Sequence, residues 1–230
     1  MMRCAFLLLL TTILSAQSAP EVEITAEPHH HQVFANAQVR VFNAEVPPHG
    51  EVLMHWHRHD YVYVVLTDAD VVNTVQGKDS ATVKLHAGDA AFLPGPFAHT
   101  TRSLSDQSFR VVIIELLQDE KLRHSTAKWD EDRALNILPG GTQHILFVKD
   151  AVRASEFELQ PGGTVPTHHH AGPELVVPLT DYELRSDVAG KSPVAISAKT
   201  GDSSWIPGGY THTLTNIGRS PARFVTLEFP

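Results

Sequence analysis

The chain has 230 residues, with 26 acidic side chains against 18 lysines and arginines, 15 histidines, one cysteine and a net charge of −8 at neutral pH. An acidic chain without a basic cluster argues against nucleic acid and anionic membrane surfaces as partners. A single cysteine excludes internal disulfides, iron–sulfur clusters and cysteine-ligated structural zinc.

Arg3 precedes an apolar stretch from Ala5 to Leu14 and then the small residues Ala16 and Ser18, the pattern of a secretory signal peptide over residues 1–18. The stretch is shorter than the roughly 20 apolar residues that a spanning helix needs. Cys4 lies inside this leader, so the processed chain carries no thiol, which suits a secreted or periplasmic location. Residues 19–32 follow as an expected flexible N-terminal segment, with His29, His30 and His31 read as part of a polar tail.

From Val33 onward the chain repeats itself. "HWHRHDYVYVVLTD", starting at His55, aligns without a gap with "HHHAGPELVVPLTD", starting at His168, and the register persists from Val33 and Leu146 to the ends of both copies. Gly88 and Gly201, Pro94 and Pro207, His99 and His212, and Glu115 and Glu228 all keep this spacing of 113 positions. The expected organisation is a first unit over 33–118, a linker over 119–144 and a second unit over 145–230. Within each unit, short runs rich in valine, isoleucine and aromatic residues alternate with glycine, proline, asparagine and aspartate, which predicts an all-β fold. One short helix is expected in the linker, around Trp129–Leu135.

In the second unit His168 and His170 are two residues apart, so a strand points both to one face. Ala171-Gly172-Pro173 then reads as a turn that brings Glu174 back toward them, and a later strand carries His212. Three histidines and a carboxylate at this spacing are candidate metal ligands. At the matching positions the first unit has His55, His57 and His99, with Tyr61 in place of the glutamate. A phenol with a pKa near 10 is a poor ligand at neutral pH. The first site is thus either a three-histidine centre or a metal-free pocket, with His59, Tyr61 and Tyr63 as candidate pocket residues. Alternation puts Tyr61 and Tyr63 on the inner face of the first unit and Glu174 and Val176 on that of the second, so the first cavity is expected to be the more polar.

These motifs resemble the cupin superfamily, whose signatures are G-x5-H-x-H-x3-E-x6-G and G-x5-P-x-G-x2-H-x3-N. The second copy departs from the first signature only at its closing glycine, where Asp181 stands, and fits the second throughout, from Gly201 to Asn216. The first copy has Pro96 and Ser103 in place of a glycine and the asparagine. The resemblance implies a bicupin of two tandem double-stranded β-helix, or jelly-roll, barrels. It also implies a divalent transition metal, iron, manganese, nickel, copper or zinc, held by His168, His170, Glu174 and His212, and in the first barrel by His55, His57 and His99. Such a site suits a metal-dependent oxidoreductase of the dioxygenase type or a decarboxylase acting on a small oxygenated molecule, with Glu174 able to serve in catalysis. The alternative is a non-catalytic module that binds a small ligand or metal. A small molecule is the expected partner, nucleic acid and membrane are not, and the strand edges leave room for a homodimer.

Overall fold

The computed structural model describes residues 21–126, 129 and 134–230; the expected signal peptide lies outside the described residues. Ten strands form the first half: β1 (Val22–Glu23), β2 (His30–Ala35), β3 (Val39–Val46), β4 (His55–His57), β5 (Tyr61–Val65), β6 (Ala69–Val75), β7 (Ala81–Leu85), β8 (Ala90–Leu93), β9 (Phe97–Ser103) and β10 (Phe109–Leu116). A short helix, α1 (Asp119–Arg123), leads to the second half: β11 (Ala134–Leu138), β12 (Gly141–Lys149), β13 (Val152–Leu159), β14 (Thr164–His170), β15 (Glu174–Pro178), β16 (Tyr182–Val188), β17 (Val194–Ala198), β18 (Ser204–Ile206), β19 (Tyr210–Asn216) and β20 (Ala222–Glu228). Strands β3 to β10 recur as β13 to β20 at the spacing of the sequence repeat.

Each half is a pair of sheets around a cavity. The order β1-β4-β9-β6-β7 stands opposite β2-β3-β10-β5-β8 in the first half, and β14-β19-β16-β17 opposite β11-β12-β13-β20-β15-β18 in the second. Strands far apart in sequence lie side by side, as in a jelly roll. Strict alternation makes this possible. In β10, Phe109, Val111 and Ile113 turn into the first barrel, whereas Val112, Ile114 and Leu116 turn outward. The outward residues join Val39, Val41, Val62 and Val64 against Val152, Leu175, Val177, Val225 and Leu227 of the second half. The two barrels thus pack back to back, and strands buried on both faces read as continuous apolar runs, as in "YVYVV" and "ELVVP".

Leu116 is fully buried in this inter-barrel layer. Leu116→Ala should destabilise the protein by about 2–5 kcal/mol, read as a lower urea midpoint, because the removed side chain leaves a cavity between two rigid sheets. Metal content should not change.

Three expectations are corrected here. Residues 21–32 are not a flexible segment. Val22 and Glu23 pair in parallel with His55 and Trp56, and β2 pairs with β3. Ile24 anchors this segment in the first core, and Glu27 accepts the backbone N–H groups of His29 and Leu53. The linker is also shorter than 119–144, since β11 and β12 belong to the second barrel. Of the helix expected around Trp129–Leu135, residues 130–133 lie outside the described residues, and its C-terminal end is a strand. Ala134 and Leu135 open β11, where residues 135–138 alternate between exposed and half-buried before the Pro139-Gly140 turn, a period of two and not of 3.6.

Candidate metal centre

In the second barrel β14 lies beside β19, with His168 directly opposite His212. The Nε2 atom of His212 is 3.1 Å from that of His168 and 3.3 Å from that of His170. Their outer nitrogens face other partners. His168 Nδ1 donates to the Pro166 carbonyl at 2.8 Å, and His212 Nδ1 meets Ser186 Oγ at 2.7 Å. His170 Nδ1 lies 3.7 Å from Glu228 Oε1. A carbonyl can only accept, so Nδ1 of His168 is the donor there and its Nε2 is the nitrogen turned to the cluster. Burial, followed by the neighbouring imidazoles, holds His170 and His212 down to about 4, so both are neutral at pH 7.

Glu174 opens β15 after a tight turn in which Gly172 is packed so close to the Phe229 carbonyl that a Cβ would collide with it. Its Oε1 accepts a 2.6 Å hydrogen bond from the Tyr210 hydroxyl and lies 3.7 Å from His170 Nε2. The carboxyl therefore stands beside the three-nitrogen cluster and not within it. Burial raises it to about 7, with the Tyr210 hydrogen bond opposing and the charge of Glu228 adding to the rise.

The first barrel repeats this construction. His55 and His99 are opposite each other on β4 and β9, and His57 Nε2 is 3.1 Å from His99 Nε2. His55 Nδ1 donates to the Leu53 carbonyl at 2.8 Å, His99 Nδ1 meets Asn73 Oδ1 at 2.7 Å, and His57 Nδ1 lies 3.8 Å from Glu115 Oε1. Leu53 and Pro166, Asn73 and Ser186, and Glu115 and Glu228 are partners under the sequence repeat. So are Arg40 and Arg153, whose guanidinium groups bind those two glutamates. Tyr61 stacks on His57 with ring centres 4.0 Å apart, and burial pushes its phenol far above the usual range. Burial lowers His55 to about 4 and His99 to about 3, and His57 further.

Both clusters fit a divalent transition ion. In each, three imidazoles bring ligand nitrogens within 4.8 Å of one another. His55 Nε2, the ring nitrogen left free by the same carbonyl argument, is buried with no hydrogen-bond partner among the described residues. A bound cation would satisfy it. The outer partners fix ring orientation and tautomer, as metal-binding histidines require.

A cavity of about 370 Å³ opens onto the second cluster and one of about 300 Å³ onto the first. The expectation that the first is the more polar is overturned. Beyond its histidines and tyrosines it is lined mainly by valine, leucine and phenylalanine, because the stacked Tyr61 and His57 leave Glu115 fully buried behind them. The second exposes Arg153, Glu228, Asn136 and Gln143 to its interior. Tyr63 lines the first cavity, but His59 does not; it turns outward, with Nδ1 3.5 Å from Asp119 of α1. Sequence reasoning missed Tyr210, Asn73, Ser186, Arg40 and Arg153. The repeated pair Glu115 and Glu228 was the one visible signal for the outer partners. His169 sits exposed at the rim, 3.0 Å from Thr211 Oγ1.

Residues 155–228 match the family model described as Cupin domain. Among curated proteins none matches the sequence. Of solved structures, a variant of Bacillus subtilis oxalate decarboxylase is 13% identical with a TM-score of 0.61, the match covering 84% of this chain and 69% of the other. A Lactobacillus farciminis oxalate decarboxylase in complex with formate is 15% identical with a TM-score of 0.61, covering 85% of this chain and 78% of the other. At such identities the likeness is one of fold.

Proposed function

The chain belongs to the cupin superfamily, and on that premise we propose that it is a metal-dependent enzyme that decarboxylates a small carboxylic acid in its second barrel. The observation that carries this reading is the joining, in one cavity, of a three-imidazole cluster, a buried carboxyl and a guanidinium. When bound, the metal would supply a Lewis acid, or a one-electron partner, for a chelating carboxylate. The chain's own residues supply the rest. Breaking the bond to the departing carboxylate releases carbon dioxide and leaves an electron pair that a proton must meet. Glu174, which burial raises to about 7 in the metal-free protein, is the group that can carry this proton when it is off the metal, and the Tyr210 hydroxyl, donating to its Oε1 at 2.6 Å, orients the carboxyl. Arg153 binds Glu228 through Nε at 2.7 Å and Nη2 at 2.6 Å, which leaves N–H groups to receive a substrate carboxylate.

The oxalate decarboxylases that share the fold make oxalate the first substrate to test. The protein, loaded in turn with manganese, iron, cobalt, nickel and copper, should release carbon dioxide from oxalate or a related small acid without consuming an equivalent of oxygen. Stoichiometric oxygen uptake would shift the reading to a dioxygenase. Absence of turnover with every metal, alongside tight ligand binding, would leave a binding module. We place the protein outside the cytoplasm, on the strength of the leader-like stretch Ala5–Leu14 and the position of its one cysteine, Cys4, within the expected leader of residues 1–18. A mature N-terminus at residue 19 in exported material would test this. No helix among the described residues is long and apolar enough to cross a membrane.

A further inference from the structure

The first barrel lacks the carboxylate that the second has in Glu174, and a different strand offers a replacement. His30, on β2, is buried and lines the first cavity together with His55 and His99. Its ring centre lies 4.6 Å from that of His55, the same separation as between His55 and His99. His30 Nδ1 donates to Glu27 Oε2 at 2.6 Å, and Glu27, itself buried, also accepts from the backbone N–H groups of His29 at 2.7 Å and Leu53 at 3.2 Å. Nδ1 is thus engaged by the carboxylate, and Nε2 is the ring nitrogen left free to bind. This is the state in which His55 and His168 are held by their carbonyls, and a carboxylate behind an imidazole is a common support for a metal ligand.

The two halves complement each other at these positions. His30 pairs with Ala44, and Gln143, which pairs with Phe157, occupies the same register in the second barrel. Where position 61 is a tyrosine, position 30 is a histidine; where position 174 is a glutamate, position 143 is a glutamine. Each barrel therefore has four candidate donors on three strands, the fourth coming from β2 in the first barrel and from β15 in the second.

We propose that His30 is the fourth ligand of the first centre, which makes it a four-histidine site with the negative charge of Glu27 one bond further out. In the structure His30 stands beside the three-nitrogen cluster, as Glu174 does in the second barrel. This inference rests on the reading of the first barrel as a metal site, and the test separates the two. In the full chain with His168→Ala and His212→Ala, only the first centre can hold an ion. Copper(II) titrated into this parent should bind one equivalent, and pulsed electron paramagnetic resonance should count four coordinated imidazoles. Adding His30→Gln, the residue the second barrel has at this position, should weaken binding at least about tenfold and lower the count to three. Glu27→Gln should weaken binding in the same direction with the count unchanged.

A count of three in the parent, which needs no change at His30, would overturn the inference, as would unaltered affinity and count in His30→Gln. A parent that binds no copper would overturn the reading of the first barrel, and the inference with it.

Discussion

His212→Ala should remove one equivalent of metal per chain and, with it, the decarboxylation proposed for the second barrel. His212 is the hub of that cluster, the one imidazole whose Nε2 lies within hydrogen-bonding distance of both others, at 3.1 and 3.3 Å. Its loss leaves two imidazoles and a carboxyl already engaged by Tyr210. The affinity should fall by more than the roughly 10- to 100-fold that losing an outer partner costs. The metal-free fold should change little, since the lost ring carried no charge at neutral pH. The discriminating measurement is therefore the rise in melting temperature on adding metal, which the unaltered protein should show and the variant should largely lose. Elemental analysis of the same samples should show one fewer ion per chain.

Metal binding by the two barrels should depend differently on pH. Glu174 sits at about 7 in the folded, metal-free protein, above its ordinary value of 4.5, chiefly because it is buried. As a ligand it must first lose its proton. Affinity of the second centre should thus rise about tenfold per unit up to roughly pH 7 and then level off. The first centre has no carboxylate among its donors, and burial holds His55 at about 4 and His99 at about 3, so these two ligands add no comparable rise across this range. Stability of the metal-free protein moves the other way. A raised carboxyl contributes stability that is complete below its unfolded pKa of 4.5 and is lost as pH rises through about 7. Competition titrations of each centre, with the other disabled, between about pH 5 and pH 8 would resolve the two profiles. Glu174→Gln should weaken the second centre and flatten its profile.

The repeat made most of the architecture legible, because an offset of 113 that survives without a gap from strand to strand requires two copies of one fold. The inner ligands were legible for a similar reason: His168 and His170 share a strand, and the period of two decides which way they point. Residues that touch the same cluster from distant strands were not legible. Asn73, Ser186 and Tyr210 carry no local motif, and only the pairing of β6 with β9 and of β16 with β19 sets the first two against the histidines. His30 was read as part of a tail because the run "HHH" has no alternation to betray a strand. Its burial depends on β3 and Glu27. The relative polarity of the cavities was misjudged because Asn136 and Gln143 lie in β11 and β12, within the stretch read as a linker, and because the stacking of Tyr61 on His57 closes off Glu115.

The most direct test of two working centres is to count metal ions in the protein after it has been stripped with a chelator, reloaded with a single divalent ion and passed through a desalting column. Near two ions per chain, falling to one in His212→Ala and to none when His55→Ala is added, is the result predicted here. A chain that retains no ion with any of manganese, iron, cobalt, nickel, copper or zinc would contradict it, and the six converging imidazoles would then have a different role.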